Sequence, residues 1–146
     1  MFTKMSKAEI KARVNYCMDR VNLVNANKLF PSEISGGMKK RVAIARAIAL
    51  KPKYLFFDEP NSGLDPQTSI VIDELILEIT REINATTIIN THDMNSVFDL
   101  GEKIIYIYKG EKNWEGSAEQ IAGSGNKELT DFIFASRLLK RVQKTF

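Results

Sequence analysis

The sequence predicts an α/β domain with a mostly parallel sheet and crossover helices. Three observations carry that expectation. Two short runs of aromatic or β-branched residues, Tyr54–Phe57 and Thr86–Asn90, each end in polar side chains; helical apolar patterns precede and separate them; and Pro, Gly, Asn or Asp marks each change of period. Strands that alternate with helical segments point to parallel pairing, because parallel neighbours need a crossover connection between them.

Composition sets the outer bounds. The chain has 146 residues, a net charge of +3, 44% hydrophobic and 27% charged residues, which is the balance of one globular domain with a sizeable core. So mild a basic excess serves solubility and singles out no nucleic-acid partner. No apolar run approaches the roughly 18 residues that a membrane span needs, and the stretch after Met1 lacks the apolar core of a secretory signal. Cys17 is the single cysteine; it lies on the apolar side of a helical pattern and reads as a small buried hydrophobe in a reducing cytoplasm.

In chain order, Ser6 with Glu9 forms a capping box, and Ile10, Val14, Cys17 and Val21 recur at helical spacing, which predicts a helix over Lys7–Arg20. A polar, asparagine-rich link leads to Phe30-Pro31, where the proline holds the chain extended. Met38 to about Leu50 is alanine-rich and helical, and Pro52 ends it. The strand Tyr54–Asp58 reads as buried on both faces, since four apolar residues run without alternation. Asp65-Pro66 supplies an N-cap and a first-turn proline, and Ile72, Leu75, Ile76, Ile79 and Ile83 line the inner face of a helix that ends near Asn84. Thr86–Asn90 is the second strand, Thr91-His92-Asp93 its polar exit, and Met94, Val97 and Phe98 begin a short helix. Lys103–Tyr108 is a further strand, and Lys109-Gly110-Glu111-Lys112 turns the chain back towards Trp114 as a small antiparallel edge hairpin. Two short helices close the chain. The last, about 128–144, buries Leu129, Phe132, Ile133 and Leu139 and presents Arg137, Lys140, Arg141 and Lys144; packing against its own domain is favoured over a membrane surface.

The chemistry concentrates between Ser32 and Asp65. Ser35-Gly36-Gly37 stands at a helix start, where backbone N–H groups and the positive end of the helix dipole favour an anion. Asp58 and Glu59 leave the carboxyl end of a strand, where open α/β sheets place their ligands. His92 leaves the next strand at the same end. Read singly, each has a plainer role: a solvated strand cap, a surface histidine, an N-cap and turn. Taken together they suit phosphoanhydride hydrolysis, in which one carboxylate holds Mg²⁺ through water and another group orients or deprotonates the attacking water.

In this order and spacing the residues resemble the ATP-binding subunits of ABC transporters. Ile34-Ser35-Gly36-Gly37-Met38 is similar to the signature motif, Tyr54–Pro60 to the Walker B strand with its catalytic glutamate, Ser62-Gly63-Leu64-Asp65 to the D-loop, and His92 to the switch histidine. The resemblance runs from about residue 7 to about 121. It implies a partial P-loop NTPase (RecA-like/ABC) fold with part of the helical signature subdomain: about 1–50 in that subdomain, 51–116 in the core sheet, and 117–146 in C-terminal helices. It implies ATP and Mg²⁺ as ligands, with Asp58 on the metal, Glu59 activating water and His92 at the γ-phosphate. Ser35, Gly36, Gly37 and Met38 would hold the ATP of an opposite subunit, and Asp65 would couple the two sites. The implied partners are a second nucleotide-binding domain, as a homodimer, and a transmembrane permease. No nucleic acid is implied, and the membrane is met only through the permease, on the cytoplasmic face of the inner membrane. Ile34 replaces the usual leucine, and Met38 the usual glutamine, which removes an amide donor; the SGGM form after Pro31-Ser32-Glu33-Ile34 resembles the Mla-type phospholipid and organic-solvent-tolerance ATPases.

No Gly-x-x-x-x-Gly-Lys-Ser/Thr run occurs among these residues, although such a loop cradles the α- and β-phosphates. The expectation is the C-terminal part of a longer nucleotide-binding domain, with Met1 internal to its parent. Alone it neither binds ATP tightly nor hydrolyses it, and an exposed strand edge drives it to oligomerise. Two rival readings are an ABC-type ATPase of DNA maintenance and a non-catalytic partner that supplies only a signature in trans. The transporter-like Asp58–Asp65 sequence and the absence of heptads before the signature weigh against the first; Glu59 weighs against the second.

Overall fold

The computed structural model describes residues 5–134. Its chain forms two compact units, the first ending at Thr91 and the second beginning at His92.

The first unit contains α1 (Lys7–Arg20), α2 (Gly36–Ile48), β1 (Tyr54–Asp58), α3 (Pro66–Glu82) and β2 (Thr86–Asn90). β1 and β2 pair in parallel with Phe56 opposite Ile88 and Asp58 opposite Asn90, so α3 is the crossover that the alternating pattern predicts. The predicted capping box is present at the start of α1, where Ser6 N–H donates to Glu9 Oε2 at 2.7 Å. Both α1 and α3 end in an asparagine with positive φ, Asn22 at 55° and Asn84 at 51°. At each, the paired bonds of a Schellman motif close the helix: Asn22 N–H to Asp19 and Leu23 N–H to Met18, then Asn84 N–H to Arg81 and Ala85 N–H to Thr80.

The core of this unit gathers Cys17, Val21 and Leu23 with Ile44 and Ile48 of α2, Leu55 of β1, and Ile72, Leu75, Ile76 and Ile79 of α3. Cys17 is a free, buried thiol, and burial raises its pKa above the ordinary value. Polar ties brace the helices. Arg13 donates to the carbonyls of Ile48 and Ala49 at 2.6 and 2.9 Å, placing a cation on the negative end of α2. Glu82 accepts from the Tyr16 hydroxyl and pairs with Arg20 at 2.6 Å; the Tyr16 bond holds the Glu82 carboxyl below its usual range and pushes the Tyr16 hydroxyl up.

Two burial expectations are corrected. Ile10 and Val14 are exposed, and only the second half of the α1 stripe enters the core. β1 is buried on one face: Leu55 turns to α2 and α3, whereas Tyr54 and Phe56 are 64% and 72% exposed and Ile88 beside them 54%. Both helices that cover this sheet lie on the Leu55 side, and no other element of this unit covers the opposite face.

The second unit contains α4 (Met94–Leu100), β3 (Ile104–Tyr108), β4 (Glu111–Gly116), α5 (Ala118–Ile121) and α6 (Lys127–Ile133). β3 and β4 form the expected antiparallel hairpin. Its turn residues Lys109 and Gly110 both have positive φ, 52° and 81°, as a two-residue turn that follows the strand twist requires. The register shifts after Tyr106–Trp114, leaving Asn113 as the extra residue, and Asn126 Nδ2 donates to its side chain at 2.7 Å. Ile121, Leu129 and Ile133 form the core here with Met94, Ile104, Tyr106 and Trp114 around them. Phe132 is not buried as expected; it stays exposed and its ring lies 5.5 Å from that of Tyr106. Arg137, Leu139, Lys140, Arg141 and Lys144 of the expected final helix lie outside the described residues. No helix among the described residues is long and apolar enough to cross a membrane.

Candidate functional site

Ser35 caps α2: its Oγ accepts from Met38 N–H at 3.2 Å, and its backbone is extended. The helix therefore begins two residues before the expected Met38, with Gly36 and Gly37 in its first turn. Their N–H groups are among those a helix start leaves without an internal partner. Beside them lies the turn into α3. A hollow of about 340 Å³ is lined by Ser35, Gly36, Gly37 and Met38 on one side and by Gly63, Leu64, Asp65 and Thr68 on the other. Arg41 lines it too, and its Nε is buried without a hydrogen-bond partner. Met38 also packs against the core, which is the apolar role its chemistry allows. Helix N–H groups, a guanidinium and a hydroxyl in one hollow make a surface suited to an anion.

Asp65 is the carboxylate of that hollow. It caps α3 and accepts from Thr68 N–H at 3.0 Å and Thr68 Oγ1 at 2.5 Å. The Thr68 hydroxyl, then its amide, holds the Asp65 carboxyl below the ordinary range.

Asp58 and Glu59 leave β1, as predicted, but their setting depends on residues that the sequence pattern does not single out. Asn90 Nδ2 donates to Asp58 Oδ1 at 2.7 Å across the strand ends. The Asn90 carbonyl accepts from Glu59 N–H at 2.8 Å. Glu59 is half-buried with φ 48°, a left-handed conformation that costs a non-glycine residue about 1–3 kcal/mol unless its surroundings enforce it. Enforcement comes from three directions: Asn90 on its N–H, and Lys40 Nζ at 2.9 Å with Ser62 N–H at 3.2 Å on its carbonyl. Below the turn, Asn61 Nδ2 donates to Asp73 Oδ1 at 2.8 Å, and both side chains are buried, each 6% exposed. Asn61 fits a turn signal and Asp73 a polar gap in the α3 stripe; only the fold shows that they meet.

Among the described residues no three His, Cys, Asp or Glu side chains are grouped to hold a metal by themselves. A single outward carboxylate such as Asp58, steadied by Asn90, fits Mg²⁺, which keeps several waters and takes one or two carboxylates plus substrate phosphates. His92 is exposed and stands one residue before Asp93, the N-cap of α4 in the second unit. Ser35, Gly36, Gly37, Met38 and Asp65 are thus brought together in one hollow, and Asp58 and Glu59 sit at one strand end.

Residues 2–62 match the family model described as ABC transporter. The methionine import ATP-binding protein MetN of Campylobacter jejuni is 40% identical over 135 residues, covering 92% of this chain and 40% of that protein. MetN of Streptococcus pneumoniae is 39% identical over 132 residues, 90% of this chain and 37% of that protein. Among solved structures, the dimeric ATP-binding cassette MJ0796 in a post-hydrolysis state with ADP and Pi matches at TM-score 0.69 and 34% identity, over 80% of this chain and 50% of that one. CbiO1 from Clostridium perfringens, part of the ABC transporter complex cbiONQ, matches at TM-score 0.78 and 29% identity, over 98% of this chain and 55% of that one. The chain spans about 40% of the length of these curated relatives.

Proposed function

We propose, from a chain that has the α/β fold of an ABC transporter ATP-binding domain, that it serves as the ATP-hydrolysing subunit of such a transporter and gives half-sites to two composite nucleotide sites. The observation that carries this reading is the hollow in which Ser35–Gly37 and Gly63–Asp65 meet, with no phosphate-cradling loop among the same residues. A helix start with free N–H groups and an unpartnered arginine Nε suits the γ-phosphate of a nucleotide that another subunit brings. The matched dimeric cassette, bound to ADP and Pi, supports that arrangement.

On this reading Asp58 takes Mg²⁺ and Glu59 accepts a proton from the attacking water. Held by Asp58, Mg²⁺ would offset charge on the β- and γ-phosphate oxygens. Asn90 steadies the Asp58 carboxylate through its bond to Oδ1, so that Asp58 would be the side chain to hold the ion. His92 contacts the γ-phosphate, and Asp65 joins the two sites through its place in the hollow. On the same reading the chain divides into a signature subdomain (about 1–50), a core-sheet part (51–116) and a C-terminal part (117–146). A membrane permease is the partner that ATP-driven closure would move, and the subunit works at the membrane periphery on the cytoplasmic side. For cargo, the named relatives are methionine importers, which supports methionine over the phospholipid suggested by the SGGM signature. The Asp58–Asp65 sequence favours a transporter over a DNA-maintenance ATPase, and Glu59 favours a catalytic subunit over a trans-only partner.

The test is ATP hydrolysis by the purified transporter complex that contains this chain. Glu59→Gln is expected to keep ATP binding and lower kcat about 100-fold or more, the usual scale for loss of a general base. Undiminished turnover removes Glu59 from that role; a wild-type complex that neither binds nor hydrolyses ATP removes the reading as a whole.

A further inference from the structure

We propose that Lys40 is a positioning residue for Glu59, a strut by which α2 sets the direction of the carboxylate at the end of β1. The inference rests on Glu59 acting as base and adds a residue to that role. Lys40 lies one turn along α2 from Gly36, and its half-buried ammonium donates to the Glu59 carbonyl at 2.9 Å. Glu59 N–H is fixed by the Asn90 carbonyl at 2.8 Å, so β2 holds one side of the residue and α2 the other.

The direction in which a Cα–Cβ bond leaves the backbone follows from the residue's own φ and ψ. Glu59 sits at φ 48°, where an L-residue has no intrinsic reason to stay, so the flanking hydrogen bonds hold the backbone that aims its Cα–Cβ bond. Lysine is well suited to such a strut, because its compact charge reaches a carbonyl from any of three N–H directions, and a charge-assisted bond in a half-buried place is stronger than a neutral one. A methionine of similar length fills the space and offers no donor.

Position gives the strut a second consequence. The first turn of α2 carries Ser35, Gly36 and Gly37, so an anion drawn onto those N–H groups loads the helix that holds Lys40. Through Lys40 that load reaches Glu59, and the half-site that grips one nucleotide adjusts the base that serves the other. The coupling is between named atoms within one unit and requires no change of fold.

Lys40→Met and Lys40→Arg in the transporter complex test this, together with amide exchange on the 146-residue chain. Lys40→Met is expected to lower kcat by about 10- to 100-fold, the scale of a small misplacement of a catalytic group, with KM within about twofold of wild type. Lys40→Arg should restore most of the rate, and Lys40→Met should add no further loss to Glu59→Gln, since both act through one carboxylate. In the chain itself, Lys40→Met should speed exchange at the Glu59 and Ser62 amides while the Ile72 and Ile76 amides, which report the core, keep their protection. Wild-type kcat in Lys40→Met, or losses that multiply with Glu59→Gln, overturns the proposal. So does unchanged Glu59 and Ser62 exchange, even if the complex proves to have no ATPase activity, an outcome that would separately sink the functional reading.

Discussion

Gly36 and Gly37 look equivalent in the sequence but have different surroundings. A methyl group on Gly36 would meet only Leu64 Cδ2, at 3.9 Å, an ordinary contact; on Gly37 it would lie 3.0 Å from Thr68 Cγ2. Thr68 cannot turn aside freely, because Asp65 holds both its amide and its hydroxyl. Alanine relieves a glycine's conformational entropy by about 0.5–1 kcal/mol inside a helix, less in a first turn. Gly36→Ala is therefore expected to be neutral or stabilising by a few tenths of a kcal/mol, and Gly37→Ala to destabilise by about 1 kcal/mol as overpacking outweighs the entropy gain. Urea midpoints of the two variants check the difference; shifts of the same sign and size would refute the steric argument. The sequence shows that a Ser-Gly-Gly corner opens a helix. It does not show that the second glycine is a packing contact, because Thr68 is distant along the chain and arrives only when α3 lies beside α2.

At the scale of elements, caps and ends are readable in the sequence and braces are not. Ser6-Glu9, Asp65-Pro66 and the asparagines that finish α1 and α3 are local signals, decided within a few residues. The strands and their parallel pairing also follow from local pattern and order. Lys40 on Glu59, Asn90 on Asp58, Asn61 on Asp73 and Arg13 on the end of α2 each join segments far apart in sequence, and a polar residue gives no sign of which distant partner it will meet. The α1 stripe misleads for a related reason: Ile10 and Val14 have the right period, but α2 and α3 reach only its second half. The Asp65 cap gives a pH test. Its carboxyl is held below the ordinary value near 3.8 by Thr68, so the charged form is favoured in the folded chain. That stabilisation is fully present above the unfolded value and fades as pH falls through the lower folded value. The stability gap between wild type and Asp65→Asn should stay level from about pH 7 to about pH 5 and close below about pH 4. A gap independent of pH in thermal unfolding would show that Asp65 acts by shape alone.

For the whole molecule, the parallel sheet poses a problem that its own unit does not solve within the described residues. Parallel strands occur almost only with both faces covered, and here α2 and α3 cover the Leu55 side alone. Tyr54, Phe56 and Ile88 remain on the other face, more than half exposed, with Phe56 and Ile88 directly paired. Two aromatic side chains of about 150–250 Å² each and an isoleucine make a patch of several hundred Å², the size at which surfaces tend to find partners. The uninterrupted apolar run suggests burial on both faces, and within this unit only the Leu55 face is buried. The 146-residue chain on its own should bring two such faces together, and the patch is small beside the roughly 1,200–2,000 Å² of a stable interface, so the association should be weak and concentration-dependent. Sedimentation velocity across a concentration series should show a rising sedimentation coefficient for wild type. Phe56→Lys with Ile88→Lys places like charges opposite each other on that face and should hold the chain monomeric, while Lys40 and the Ser35–Gly37 hollow remain intact as judged by their amide spectra. A wild-type chain that stays strictly monomeric, or a double variant that associates as wild type does, would show that this face draws no partner.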